Sequence, residues 1–595
     1  MSSAPSFTEP KSGRWIDRGR HAQWVLFALW LECVLVWMVR YWGSFDILDF
    51  RDPDDAMRLV QVRDFLNGQS WFDVSQHRVN PPFGGPMHWS RLLDLPIAGL
   101  IALFRPLLGA HGAEVVACVA VPLITLGILF LLFRRALRDF LGNGLSLFAI
   151  ALLATSFAIL AQTPPLRIDH HAWQIVMAAA TMGGVLHHDP RKGGIIAALA
   201  MAMWLHISSE ALPFAALVGG VMAVRYAQSA AEWPRLMTYM LVLVAGCAGL
   251  LLLTHGWTGS LMSYCDAMSP VYLAPLAAVT AALWIAHRLV PQDRAILRFL
   301  PAGVAGLAGA FLFARIGGRC LAGPFATLDP VVYEFWYKGV LEGLPIWKQD
   351  PMLRAIILLP SLAGIIGLCV AWKREPDPAR RVQWLSLGLL AAGGLCVAIL
   401  VMRSMSVAHL FALPGSAWMI AGLYARVETM KSALARVALV LPLCAISPAG
   451  LTSAAVLMAP APLSVTPSTS CSSPAQIAAL ANMPTTTLFA PLDIGPSILL
   501  RTSHSVIGTG HHRNVAGIGK VVHAFLAPPD QARPIILSTS ARYLLVCPNL
   551  DETGRYRKAQ PNGLVAQLVA GHRPSWLTPV KVPGVDYMLV YRIER

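Results

Sequence analysis

Residues 50–59 read FRDPDDAMRL and set three carboxylates, Asp52, Asp54 and Asp55, into four positions, with Arg51 before them and Arg58 after. Carboxylates this crowded resist ionising together unless a cation stands among them. Two chemistries suit such a group: holding a divalent metal through oxygen ligands, and taking a proton from a nucleophile as general base. Arg58 and Arg63, on the segment that follows, suit an anionic partner such as a phosphate. The plainer reading is a solvated loop that starts a helix. Acids favour a helix's first turn, and AMRLVQVRDFLNG reads as an amphipathic helix ending at Gly68.

A second cluster lies in PPLRIDHHAW, with Arg167, Asp169, His170 and His171. A His pair at the entrance of an apolar run often serves structure alone. Beside Asp169 it also offers a carboxylate–imidazole pair for metal ligation or proton transfer. Further charged residues occur singly: Glu210, Asp266, Asp329, Glu334 and Arg403. Glu32 falls inside the first apolar run, as a functional buried acid or a partner for a neighbouring helix. GTGHHRN (508–514) lacks the spacing and the Lys-Ser/Thr end of a phosphate loop, so His511, His512 and Arg513 read as capping a turn rather than binding an anion.

The elements that position these residues follow from composition. Of 595 residues, 56% are hydrophobic and 13% charged, with a mean hydropathy of +0.57. Ordinary soluble domains carry roughly twice that charge fraction. Apolar runs predict thirteen spans near 23–42, 112–134, 144–162, 172–187, 193–207, 210–225, 235–254, 269–287, 298–316, 352–372, 384–402, 407–425 and 436–457. The first is too long for a signal core and has no small-residue cleavage site after it, so it reads as a span that stays. The expectation is an all-α polytopic membrane protein. Its net charge of +15 then reflects arginines and lysines held on the cytoplasmic side of many spans rather than affinity for nucleic acid.

Loop charges orient the chain. Basic groups such as Arg134, Arg135 and Arg138, Arg191 and Lys192, Arg288, Arg294 and Arg298, and Lys373, Arg374, Arg380 and Arg381 fall on one set of connectors. The short connectors of the other set carry only Arg167 and Arg403. The positive-inside rule then places residues 1–22 in the cytoplasm, the spans within 23–459, and the acidic loops outside. Outer loops are expected at 43–111 and 317–351, with LPIAGLIALFRPLLG (95–109) as a half-buried interfacial helix. After the linker APAPLSVTPSTSCSSP, residues 460–595 alternate β-type and helix-type runs and predict a small α/β extracytoplasmic domain. Six of ten cysteines fall in spans; Cys471 and Cys547 share the outer domain, where a disulfide is open to them, and no spacing resembles a zinc site.

DPDDAMRLVQVRDFL after a first span, then NPPFGGPMHW, then RIDHHAW between later spans, resembles the GT-C fold glycosyltransferases. Within these it is most similar to the oligosaccharyltransferase catalytic subunit and its single-chain bacterial and archaeal relatives. The resemblance implies thirteen spans, an inside N-terminus, an outside C-terminal domain and transfer of glycans from polyprenyl-(di)phosphate carriers with a divalent metal, Mn or Mg. It places the catalytic acid among Asp52, Asp54 and Asp55, the second acidic motif on Asp169, the late-loop glutamate on Glu334 and the carrier phosphate on Arg403. Asp54, Asp169, His170 and Glu334 are the candidate metal ligands, and Arg58 and Arg167 join Arg403 as candidates for binding the substrate. The WWDYG acceptor motif of that family is absent from the sequence. That points away from protein N-glycosylation and toward another acceptor, such as a lipid-linked or surface polysaccharide.

The expected partners are therefore a polyprenyl-phosphate-linked sugar, membrane lipids and an acceptor glycan, lipid or protein. The expected location is a bacterial inner membrane with the C-terminal domain in the periplasm. A polysaccharide polymerase or ligase, or a flippase of lipid-linked glycans, is the alternative. A flippase predicts charges midway along several spans, whereas the acids here collect at span ends.

Overall fold

The computed structural model describes residues 19–325, 328–458 and 470–595. Most of the expected cytoplasmic segment 1–22 and of the linker 459–474 lies outside the described residues. Helices occupy all thirteen apolar stretches. By length and composition alone, nine described helices can cross a membrane, ten if the bent pair Ala433–Ala445 and Pro448–Leu457 counts as one span. The difference from thirteen has local causes. Residues 94–153 run on through two expected spans with breaks only at Gly109 and Gly142, whose φ values of 70° and 78° a side chain would oppose. His171–Leu186 has only 16 residues, and Pro190–Ile207 begins with Arg191 and Lys192.

Contacts between connectors sort them to two ends of the bundle. One end gathers the first loop, residues 161–170, 208–211, 261–269, 317–350 and 401–404. The other carries the basic connectors around Arg135, Arg191, Arg294 and Arg380. Residues 94–108 form the short helix expected near 95–109. Ile97, Ala98 and Ile101 are buried on one side, while Leu95, Leu103, Leu107 and Leu108 are exposed on the other.

The C-terminal domain holds a five-stranded sheet of β1 (Thr487–Phe489), β2 (Ser505–Val506), β3 (Tyr543–Val546), β4 (Leu577–Pro579) and β5 (Leu589–Ile593), in the order β2-β1-β3-β5-β4. β1 pairs parallel with β2 and β3, and β5 pairs antiparallel with β3 and β4. The first loop covers the β2 edge. Asn80 N donates to Val506 O at 2.7 Å, and Val506 N donates to Arg78 O at 2.9 Å. An unpaired strand edge invites foreign pairing, and here the chain pairs it with itself.

One apolar core runs through both parts: Met57, Val60 and Val79 of the first loop pack in a single cluster with Leu488, Ile498 and Val506 of the domain. Arg63 fastens the same joint by donating to Leu500 O at 2.6 Å while pairing with Glu114 at 2.7 Å. A disulfide joins Cys471 and Cys547 across 5.6 Å of Cα separation. A second, which the sequence reading did not anticipate, joins Cys265 to Cys320 and so ties loop 261–269 to the start of loop 317–350.

Candidate active site

Helix Pro53–Leu66 begins where Asp52 caps it, accepting from Asp54 N at 2.9 Å, with Pro53 at the first helical position. The helix-starting reading of this acid group is thus met at Asp52. The helix itself departs from expectation. Residues 55–62 are buried without interruption because helix Gly495–Arg501 lies across what would otherwise be a wet face.

Arg167 gathers the acids. Its Nη1 donates to Asp52 Oδ2 and, at 3.3 Å, to Asp55 Oδ2, while Nη2 stands 2.9 Å from Asp169 Oδ2. One guanidinium thus lies among three carboxylates from two segments. Burial opposes its charge, but Asp169, Asp55 and Asp52 outweigh that and raise its pKa further. Asp55 is fixed in addition by Ile168 N at 2.8 Å and Asp169 N at 2.9 Å, which stitch the two acidic loops together.

The three first-loop acids differ in what they can reach. The Asp55 side chain is 2% exposed, against 30% for Asp52 and 33% for Asp54. Asp52 and Asp54 are the pair open to a substrate. Burial and the neighbouring Asp54 charge raise the Asp52 pKa. Burial would raise Asp54 as well, but the hydrogen bond and charge of His511 hold it down at about 2. His511 comes from the C-terminal domain, its Nε2 3.4 Å from Asp54 Oδ1, and it packs edge-on against Trp89 at 4.9 Å.

Asp169 accepts from His171 N at 3.0 Å, and His171 Nε2 stands 3.6 Å from Asp169 Oδ2 and 4.0 Å from Glu342 Oε2. Burial pushes the His170 imidazole well below its ordinary pKa, so it is neutral near pH 7. Its buried Nδ1 has no hydrogen-bond partner among the described residues. Asp169, His170 and His171 each offer a ligand atom, all within 4.8 Å of one another. A neutral imidazole with a free lone pair beside a carboxylate held ionised is a donor set that suits a divalent cation.

Arg403 closes the far side. Its Nη1 lies 3.0 Å from Glu210 Oε1 and 3.5 Å from Glu342 Oε1, and its buried Nε has no hydrogen-bond partner among the described residues. The outer wall is a clasp on Asp266: Arg513 donates to both its oxygens at 2.7 and 2.9 Å, and His512 Nε2 approaches at 2.6 Å. Asp266, with His88 and His512, forms a second group that could hold a metal ion. Together Arg513 and His512 overcome burial and hold Asp266 far below the usual carboxylate range.

No protein-family model matches the chain, and no curated protein matches it by sequence. Solved structures do. The apo oligosaccharyltransferase of Archaeoglobus fulgidus superposes at a TM-score of 0.64 with 15% identity, over 90% of this chain and 70% of that one. The chain has the oligosaccharyltransferase fold. The same enzyme in complex with an inhibitory peptide and a dolichol-phosphate also gives 0.64 at 15% identity, over 94% and 73%. Its complex with Zn and sulfate gives 0.61 at 15%, over 96% and 73%. The GT-C resemblance that DPDDAMRL and RIDHHAW suggested is thus matched by the course of the whole backbone.

The structure brings together Asp52, Asp54, Asp55, Arg167, Asp169, His170 and, on the far side, Arg403. Two expected residues lie elsewhere. Glu334 faces solvent and pairs with Lys338 one turn on, at an i,i+4 spacing that keeps it on the surface; Glu342 is the acid of that loop that reaches the cluster. Arg58 is fully buried, bonded to Asp94 Oδ1 at 3.0 Å and 4.4 Å over Trp89, with Nε and Nη2 unpartnered among the described residues, so it stands behind the acid cluster and not within it. Nor do His511, His512 and Arg513 cap a turn; they reach across to Asp54 and Asp266, and Asn514 caps the helix instead. Glu342 and Glu210 go unassigned because each is a lone acid in its segment, and His511 reads only with its neighbours His512 and Arg513, which point to a turn and not to the distant Asp54.

Proposed function

We propose that this chain transfers a sugar or glycan from a polyprenyl-(di)phosphate carrier to an acceptor, at the membrane end where Asp52, Asp54 and Asp169 meet. The observation that carries the reading is the single guanidinium of Arg167 shared by three carboxylates at that end, beneath the C-terminal domain. The dolichol-phosphate of the archaeal enzyme's complex is the kind of carrier meant. The membrane is a bacterial inner membrane, and the acidic end faces the periplasm, as the basic connectors at the other end favour.

In the reaction the acceptor attacks the anomeric carbon, the bond from that carbon to the phosphate oxygen breaks, and the carrier leaves as its (di)phosphate. Asp52, open to solvent and with a raised pKa, is the group placed to take the acceptor's proton as general base. Asp54 stays ionised throughout the working range because His511 faces it. Asp169, His170 and His171, with Asp54 beside them, would hold a divalent metal. A metal held by these residues would supply positive charge that stabilises the leaving (di)phosphate. Arg403, with an unpartnered Nε, is placed to add a second cation. Arg167 keeps the acids from repelling one another and so preserves their arrangement.

The test supplies the purified protein with a panel of polyprenyl-phosphate sugars and Mn or Mg, and follows release of the carrier phosphate together with labelled product. The account expects release only with acceptor present and only with metal. Movement of intact donor across a vesicle membrane, with no carrier phosphate released, would establish transport instead.

A further inference from the structure

At the end of the bundle opposite the acid cluster, a cavity of about 270 Å³ opens between helices 110–141, 171–186, 190–207 and 378–400. Its walls are apolar, with Leu132, Ala136 and Ile196 among them, and its rim is polar, with Arg135, Arg380 and His188. Leu131, Ile195, Ile196 and Leu199, on the same helices, are exposed large hydrophobics, so the cavity adjoins a surface suited to acyl chains. Arg380 is exposed, and its guanidinium sits 5.2 Å from the Phe140 ring, which forms part of the cavity lining. Asp139 of the lining is shared by Arg135 at 2.7 Å and Arg138 at 3.1 Å, and Arg380 pairs with Glu375 beside the rim at 3.2 Å, so three guanidiniums meet two carboxylates and the rim keeps a net positive charge.

An apolar hollow with a cationic rim at the end of membrane helices matches a molecule with a phosphate above a hydrocarbon body. We propose that this cavity binds the headgroup of an anionic phospholipid from the leaflet opposite the acid cluster. The inference is independent of the reaction: it rests on Arg135, Arg380 and the hollow between them. The guanidiniums pair with the phosphate, and Leu132, Ala136 and Ile196 face the glycerol and the first chain carbons. The volume suits a headgroup and leaves the chains outside, against Leu131 and Leu199.

Native mass spectrometry of the full-length protein in detergent tests this with phosphatidylglycerol and, separately, phosphatidylcholine of the same chains. The expected result is selective retention of phosphatidylglycerol, weakened roughly five-fold in Arg380→Gln and more in Arg135→Gln with Arg380→Gln, on the usual scale for one basic group at a membrane surface. His188→Glu puts a negative charge on the exposed rim without touching the core and is expected to weaken retention as well. Equal retention of the two lipids, or unchanged phosphatidylglycerol binding in Arg380→Gln and His188→Glu, overturns the proposal. Displacement of the lipid by equimolar inorganic phosphate would make the cavity a soluble-anion site and overturn it too.

Discussion

His511, on the C-terminal domain, lies 3.4 Å from Asp54, on the first loop of the helical domain, and this contact joins the domain to the acid cluster. It also sets the state of the acid. Burial raises the Asp54 carboxyl and His511 more than reverses that, to about 2. The contact therefore stabilises the joint at pH above the carboxylate's ordinary value of about 3.9 and is lost as pH falls through about 2. His511→Ala is expected to move the acid limb of the thermal-unfolding profile to higher pH, because the strongest opposition to burial at Asp54 is then gone. An acid limb that stays in place would show that His511 does not govern Asp54.

Among the described residues, Arg167 is the one cation touching Asp52, Asp55 and Asp169 together. Arg167→Gln leaves three carboxylates without it. Breaking a buried pair costs about 3–5 kcal/mol, and the lower figure applies here because Asp52 keeps solvent contact. The expected outcome is a lower unfolding temperature in detergent together with loss of transfer. A normal unfolding temperature would contradict the reading of Arg167 as the centre of the cluster.

Arg58 separates a reading of spacing from a reading of structure. By position it suits a phosphate, yet it is buried against Asp94, which Gln61 and Arg91 also contact at 2.8 and 3.2 Å. Arg58→Met is expected to cost stability, on the order of 1–3 kcal/mol, by removing one of the two arginines that pair with buried Asp94 and leaving it Arg91 and Gln61. The KM for the polyprenyl donor should hold in the protein that remains folded. A selective rise in KM at unchanged stability would return Arg58 to the substrate.

These residues also mark what the sequence makes legible. Apolar runs and loop charges are summed over many residues, so the helical stretches and their alternation stand out even where a helix is short or kinked. Asp52–Asp55 and Asp169–His171 stand out because each cluster is local. Glu342 and Glu210 reach the site from distant segments with nothing in their neighbours to announce it, and the His511–Arg513 run, though visible, carries no sign of the first-loop acid it meets. Glu334 and Glu342 belong to one loop, and only the turn of helix Pro330–Phe335 sends the first outward to Lys338. In the C-terminal domain β1, β3 and β5 lie in evident β-type runs. β2 has only two residues and β4 ends on Pro579 outside any apolar run, so neither leaves a pattern.

Glu552 governs the C-terminal domain's response to pH. It is buried and accepts from Leu492 N and Asp493 N at 3.0 Å each and from the Tyr556 hydroxyl at 3.0 Å. Burial, then the Asp493 charge, push its pKa up to about 8. The folded domain thus holds a proton that the unfolded chain releases near pH 4.5, and stability falls as pH rises from there through about 8. Glu552→Gln is expected to flatten that slope in thermal unfolding measured from pH 5 to 9. A wild-type slope of the opposite sign would contradict the assignment.

The central claim is that carboxylates at one membrane end carry out group transfer. The most direct measurement is release of carrier phosphate from a polyprenyl-phosphate sugar by wild type, Asp52→Asn, Asp54→Asn and Asp169→Asn, with Asp329→Asn as a control outside the cluster. The account predicts that the three cluster variants lose at least about 100-fold in rate, the usual scale for a positioned acid or base, while Asp329→Asn stays near wild type. Wild-type rates in Asp54→Asn and Asp169→Asn would contradict it.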